Sequence, residues 1–289
     1  MRGSERAGGL TRRELLVSGA LAAGYALAVR PVRAEAIHTD AASLVAGGVE
    51  IPAADRAIAA YRAQPDAGGP FPVVLVVHEI FGVHEYIRDV CRRLARAGYL
   101  ALAPDLYARQ GDPTSLASVD AIVGGIVARV PDAQVMGDLD AAARWALANG
   151  GAPGQLFATG FCWGGRIVWL YAAHRPELAA GAAWYGRLTG PSNERTPEQP
   201  IDLAERRLAP VLGLYGAEDA GIPLEGVFAM RKKLAAARSA SEIVVFPGAP
   251  HGFHADYRES YRPMAAEEGW RRMLEWFRRH AESGSPEGK

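Results

Sequence analysis

Apolar and polar positions along this chain switch between two periods, and the switching predicts strands alternating with helices. Residues 43–64 read as two short strands at a sheet edge, with Pro52 between them. A Gly/Pro-rich turn, Pro65 to Pro72, leads into Val73-Val74-Leu75-Val76-Val77, an unbroken apolar run suited to a strand covered on both faces. From 84 to 97 the spacing becomes helical, with Ile87, Val90, Cys91, Leu94 and Ala95 on one stripe. Further strands are expected over Tyr99–Ala103, 155–159, 180–185, 210–215 and Ile243–Phe246. Helices are expected over 112–130, 131–149, 163–174, 222–238 (entered at Pro223) and 261–281. The last is amphipathic, with Met264, Trp270, Met273, Leu274 and Phe277 at helical spacing. Residues 187–208 form the longest irregular stretch, a surface excursion or part of a lid. Strands alternating with helices imply an α/β fold, a mostly parallel sheet with helices on both faces.

The first 36 residues depart from this pattern. Thr11-Arg12-Arg13-Glu14-Leu15-Leu16 carries two adjacent arginines followed by leucines. Val17 to Val29 is apolar and rich in glycine and alanine, yet too short to span a bilayer comfortably. Ala34-Glu35-Ala36 offers small residues for cleavage. Together these resemble a twin-arginine export signal. The expectation is a signal over 1–36, one domain over 37–289, and a periplasmic or secreted location reached through the export machinery. That route carries folded proteins, so the core would form before export.

Composition narrows the function classes. The chain is 49% hydrophobic and 22% charged, which is ordinary for a soluble globular protein. Lys+Arg and Asp+Glu both total 32. Residues 1–36 hold six basic and three acidic residues, so the remainder is slightly acidic. With no basic run or stripe, a nucleic-acid partner is not expected, nor a membrane beyond export or an uncleaved signal. The two cysteines, Cys91 and Cys162, are not expected to pair, because Cys91 lies in a helical pattern and Cys162 stands in a candidate catalytic turn.

That turn carries the chemistry. Gly160-Phe161-Cys162-Trp163-Gly164-Gly165 follows the apolar Leu156–Thr159 and precedes the helical pattern from Ile167. A strand, a tight turn with glycines two residues either side of a nucleophile, then a helix, is the nucleophile elbow of an α/β-hydrolase fold, here with cysteine in the serine position. The helix N-terminus behind the thiol favours a thiolate. The other triad members should follow in the order acid, histidine, each after a strand. Gly216-Ala217-Glu218-Asp219 follows strand 210–215, and Pro247-Gly248-Ala249-Pro250-His251 follows strand Ile243–Phe246. Position directly after the strand favours His251 over His254. These two histidines are three apart, but no third ligand stands at a useful spacing for zinc. His78-Glu79 begins like a zinc-protease motif, which glycine at position 82 breaks. His251 would take the thiol proton and later protonate the leaving group, and the acid would orient it. An oxyanion hole needs the backbone N–H of Trp163 and a second from the loop after strand 73–77, Ile80.

Five segments in order resemble the dienelactone hydrolase (carboxymethylenebutenolidase) family. They are His78-Glu79-Ile80-Phe81-Gly82, Ala103-Pro104-Asp105-Leu106-Tyr107, the elbow, Tyr215-Gly216 with Asp219, and His251-Gly252-Phe253. The resemblance implies a cysteine hydrolase of enol-lactones with no metal or organic cofactor. Its triad would be Cys162, Asp219 (rather than Glu218) and His251. It also implies that Glu79 stands beside a neutral resting thiol and takes its proton once substrate binds. The best-known members hold the substrate carboxylate with two arginines. One is expected a short way beyond Tyr107-Ala108-Arg109, and the other just after the triad histidine. Residues 110–128 and His251–Asp256 contain none, and Arg109 and Arg129 flank the first stretch without aligning. The substrate expected is therefore a small lactone or ester, with neutral esters as the alternative to an anionic lactone. A non-catalytic binding protein on a hydrolase fold is the remaining alternative.

Overall fold

The computed structural model of the protein describes residues 36–282. The expected export signal lies outside the described residues apart from Ala36. Eight strands form one sheet in the order β1-β2-β4-β3-β5-β6-β7-β8. β1 (Leu44–Pro52) and β2 (Ala57–Pro65) pair as an antiparallel hairpin, and β2 is antiparallel to β4 (Leu100–Pro104). Every other neighbour is parallel: β3 (Phe71–Val77) lies between β4 and β5 (Gly151–Phe161), followed by β6 (Ala180–Trp184), β7 (Val211–Gly216) and β8 (Glu242–Phe246). The run Val73–Val77 is fully buried, as a central strand covered on both faces requires.

Seven α-helices are described: α1 (Glu85–Arg96), α2 (Val119–Gly125), α3 (Asp132–Ala148), α4 (Trp163–His174), α5 (Pro200–Leu203), α6 (Leu224–Ala236) and α7 (Pro263–Glu282). The period-two alternation of β5 sorts the helices that flank it. Phe157 packs on Phe277 of α7 with rings 4.8 Å apart, and Phe161 meets Tyr86 of α1 at 5.6 Å. Gly160 faces the opposite way, against α4. There α3 joins α4 through the fork of Arg166 on Asp132, at 2.7 and 2.8 Å, and the Tyr171 hydroxyl donating to Asp140 at 3.0 Å. So α1 and α7 cover one face, and α3 and α4 the other.

Two stretches differ from expectation. Residues 112–130 are not one helix but a 3-10 turn (Pro113–Ser115), the short α2, and a second 3-10 turn (Val127–Arg129). Asp112 accepts the Thr114 amide at 2.8 Å and Ser118 the Ala121 amide at 3.1 Å, so each starts a new turn. Gly124-Gly125 then ends α2, because glycine is a poor helix former. The 187–208 stretch is mostly irregular but contains α5, opened by a reciprocal cap between Gln199 and Asp202. Arg166 ties it to α4 by donating to the Gln199 side chain at 3.0 Å and the Glu198 carbonyl at 2.9 Å.

Candidate active site

β5 ends at Phe161 and α4 begins at Trp163, which leaves Cys162 alone in the turn. Its φ is 57° and its ψ −114°, a backbone state that a residue with a side chain holds only when its surroundings impose it. Here the Cys162 N–H donates to the Trp184 carbonyl at 3.0 Å, and its own carbonyl accepts from Gly165 at 3.1 Å. The flanking glycines are needed for close approach. A Cβ on Gly160 would stand 2.3 Å from the Gly164 carbonyl oxygen, and one on Gly164 would stand 2.3 Å from that of Val77. Cys162 is only 3% exposed, and both cysteines are free.

The acid and histidine loops are laced together above the sheet. Ala217 donates to the Phe246 carbonyl at 2.9 Å and Glu218 to that of Ala249 at 3.0 Å. Asp219 spends Oδ1 on its own loop, accepting the amides of Gly221 at 2.9 Å and Ile222 at 3.1 Å. That leaves Oδ2 to accept from His251 Nδ1 at 2.7 Å. Glu218 is exposed and not in this pairing. Burial disfavours a charged His251 ring, but the neighbouring Cys162 and the hydrogen-bonded Asp219 outweigh burial and raise its affinity for a proton. Cys162, His251 and Asp219 thus stand in one line of contact. His254 faces elsewhere: its Nδ1 shares a 2.6 Å hydrogen bond with the Tyr86 hydroxyl, and burial holds the ring neutral down to about 3.

Glu79 is fully buried. Burial would raise its pKa, but Arg258, His84 and Tyr257 prevail and hold it at about 2. The Tyr257 hydroxyl donates to Oε2 at 2.7 Å, His84 Nε2 lies 3.4 Å from the same oxygen, and Arg258 Nη2 lies 3.5 Å from Oε1. Arg258 also interacts electrostatically with Cys162, so one cation lies near both the carboxylate and the thiol. Arg258 is 4% exposed, between the rings of Phe81 at 4.9 Å and Tyr257 at 5.0 Å. Sequence reasoning missed Tyr257, Arg258 and His84. The search for an arginine after His251 stopped at Asp256, two residues short of Arg258, and the Tyr-Arg pair itself was the available signal.

Arg109 is held elsewhere, by Asp55 and by a fork on Asp138 at 2.7 and 3.0 Å, and Arg129 is exposed. Ile80 and Trp163 are both buried, and among the described residues neither backbone amide donates to another group. An open groove of about 1220 Å³, walled by β1, β2 and the 105–114 loop, is also lined by Phe81, which packs on Arg258, and by His84, which lies beside Glu79.

Comparison with known proteins finds relatives along most of the chain. The family model described as "Dienelactone hydrolase family" matches residues 58–281. A "Putative carboxymethylenebutenolidase" of Methylorubrum extorquens is 56% identical over 270 residues, 93% of each chain. A protein of the same name from Escherichia coli is 53% identical over 258 residues, 89% of this chain and 95% of that one. The crystal structure of a "Putative Dienelactone Hydrolase" from Klebsiella pneumoniae superposes with a TM-score of 0.80 at 54% identity, over 81% of this chain and 98% of that one. The fold is that of the α/β-hydrolases.

Proposed function

The chain belongs to the dienelactone hydrolase family, and from that premise we propose a cysteine hydrolase of lactones and small esters that works through an acyl-enzyme. The observation that carries this reading is Cys162 at a positive-φ turn, in contact with a His251 already oriented by Asp219. Cys162 Sγ, its proton passed to Glu79, attacks the carbonyl carbon and forms a C–S bond as the carbonyl π bond breaks, with His251 already protonated beside Cys162 and Asp219. The negative charge on the carbonyl oxygen is met by the Ile80 and Trp163 amides. As the tetrahedral centre collapses, the ring or ester C–O bond breaks and His251 protonates the departing oxygen. Water, deprotonated by His251, then attacks the thioester, the C–S bond breaks to release the acid, and the departing thiolate takes its proton back from Glu79.

Glu79 sets when the thiol is charged. At rest it is tied to Tyr257 and Arg258. A substrate anion that draws Arg258 away leaves the carboxylate free to take the thiol proton. This favours a carboxylate-bearing lactone such as a dienelactone. The opposing observation is that Arg109, the other arginine near an expected anion site, is already paired with two aspartates, which favours neutral esters.

A hydrolysis panel on residues 37–289 tests both readings, pairing a dienelactone with neutral aryl esters and using Cys162→Ala as control. Turnover abolished in Cys162→Ala supports the cysteine mechanism, and turnover that persists there ends it. Preference between the two substrate classes decides the anion. Residues 1–36 we read as a twin-arginine signal that delivers this single domain to the periplasm. Fractionation of cells making the chain with Arg12→Lys and Arg13→Lys should find it retained in the cytoplasm, and unchanged export would remove that reading.

A further inference from the structure

His78 is fully buried at the end of β3, next to the residues just described, yet it has no part in the triad. Its ring nitrogens have unlike partners. The Leu106 amide donates to Nε2 at 3.2 Å, and Nδ1 lies 2.6 Å from the Glu79 carbonyl oxygen. An amide N–H can only donate, so Nε2 carries the lone pair and the proton of the neutral ring sits on Nδ1. Nδ1 therefore donates to the Glu79 carbonyl. Rotation of the ring is blocked on both sides: it stacks on the Trp163 indole at 5.4 Å and 21°, and meets Tyr107 edge-on at 4.6 Å.

The Glu79 carbonyl and the Ile80 N–H belong to one peptide group. A trans peptide is planar, with its C=O and N–H pointing in opposite directions. Anchoring the oxygen to His78, with help from the Gly82 amide at 3.4 Å, fixes the direction of the Ile80 N–H. A hydrogen bond into the carbonyl also draws electron density from the nitrogen, which makes its N–H a stronger donor. The same imidazole braces Trp163, the residue of the second amide. We propose that His78 is a positioning residue that fixes and strengthens the oxyanion hole, by donating from Nδ1 to the Glu79 carbonyl while its ring supports Trp163. This rests on the reading of Ile80 and Trp163 as the hole. Burial keeps the ring neutral down to about pH 4, so the arrangement does not change across the neutral range.

The test compares His78→Phe and His78→Asn in the otherwise native chain. Phenylalanine keeps the flat ring and loses the donor, while the asparagine amide nitrogen can restore a donor near the Nδ1 position. His78→Phe should lower kcat by about 100-fold with little change in KM, as expected for loss of oxyanion stabilisation. His78→Asn should recover at least about tenfold of that loss. Alkylation of Cys162 by iodoacetamide displaces iodide without forming an oxyanion, so its rate should stay near the parent value in both variants. Parental kcat in His78→Phe overturns the proposal, as does an equal loss in Asn and Phe, or alkylation that falls in step with kcat. If His78→Phe does not fold, His78→Leu takes its place as the variant without a donor: a kcat loss that His78→Asn partly restores at unchanged alkylation supports the proposal, and parental kcat, an equal loss in Asn, or alkylation that falls with kcat overturns it. Parent protein whose turnover survives Cys162→Ala would instead remove the acyl-transfer reading beneath it, so the two failures are distinguishable.

Discussion

Glu79 is the residue on which charge, burial and chemistry meet. An ionised carboxylate without exposure is costly unless it is paired. Arg258, Tyr257 and His84 provide that pairing, at 3.5, 2.7 and 3.4 Å. Substituting Glu79→Gln leaves the Arg258 guanidinium buried without its counter-ion, so we expect a stability loss of about 3 kcal/mol, read as a lowered urea midpoint. If Glu79 also takes the thiol proton, kcat should fall by about 100-fold or more. Adding Arg258→Met to Glu79→Gln should restore most of the stability, because the buried cation goes with its partner, but none of the activity. Recovery of both together would make Glu79 a structural anion only. His78 and Glu79 were both visible in the sequence as one motif. Their neighbours from the far end of the chain were not, since Tyr257 lies 178 positions from Glu79.

At the scale of elements, the elbow is where strand and helix meet most closely. The helix can start directly behind Cys162 because Gly164 lets α4 approach the β3 backbone. A methyl group there would meet the Val77 oxygen at 2.3 Å and the His78 oxygen at 2.7 Å. Both are backbone atoms, one in a central strand and one directly after it, and cannot turn aside as a flexible side chain could. Gly164→Ala should therefore cost about 3 kcal/mol or more and remove activity by displacing Cys162. The control is Gly137→Ala at an exposed position of α3, where an added Cβ meets nothing within 4 Å. There alanine should stabilise by about 1 kcal/mol through helix propensity. Thermal midpoints of the two variants should move in opposite directions, and equal shifts would contradict the steric account. This element was legible because its requirements are local: an apolar run, small residues at fixed offsets, then helical spacing. The broken helix over 112–130 was not, because Asp112 and Ser118 act through side-chain caps that interrupt an otherwise helical apolar period.

For the whole molecule, three buried groups act in the same sense as pH falls. His78 and His254 titrate at about 4 and about 3 in the fold, against 6.5 when free, chiefly because burial penalises the charged ring. The unfolded chain therefore binds protons that the folded protein refuses. Their contribution is complete above about 6.5 and declines as pH falls toward the folded values. Glu79, held at about 2 against 4.5, adds a loss that begins below 4.5. His251, with a raised pKa, runs the other way: its contribution is present below 6.5 and is lost as pH rises through its folded value. Acidification from about pH 6.5 to about pH 4.5 should cost on the order of 2 kcal/mol for each of His78 and His254. The urea midpoint across that window checks it, with His254→Phe giving a shallower slope. A midpoint that stays level would show that these rings are not held neutral.

The sequence by itself determined the succession of strands and helices, the elbow around Cys162, and the acid and histidine that follow it in order. Each depends on residues within one element or one turn, where period, glycine placement and position after a strand act over short range. Only the tertiary structure decided what surrounds Glu79. Arg258 reaches it because the loop after His251 folds back over Phe81, and Arg109 is drawn away by aspartates from the β1–β2 turn and α3. Charges find partners by proximity in space, and that proximity is set by how the loops cross the edge of the sheet, which no local spacing encodes.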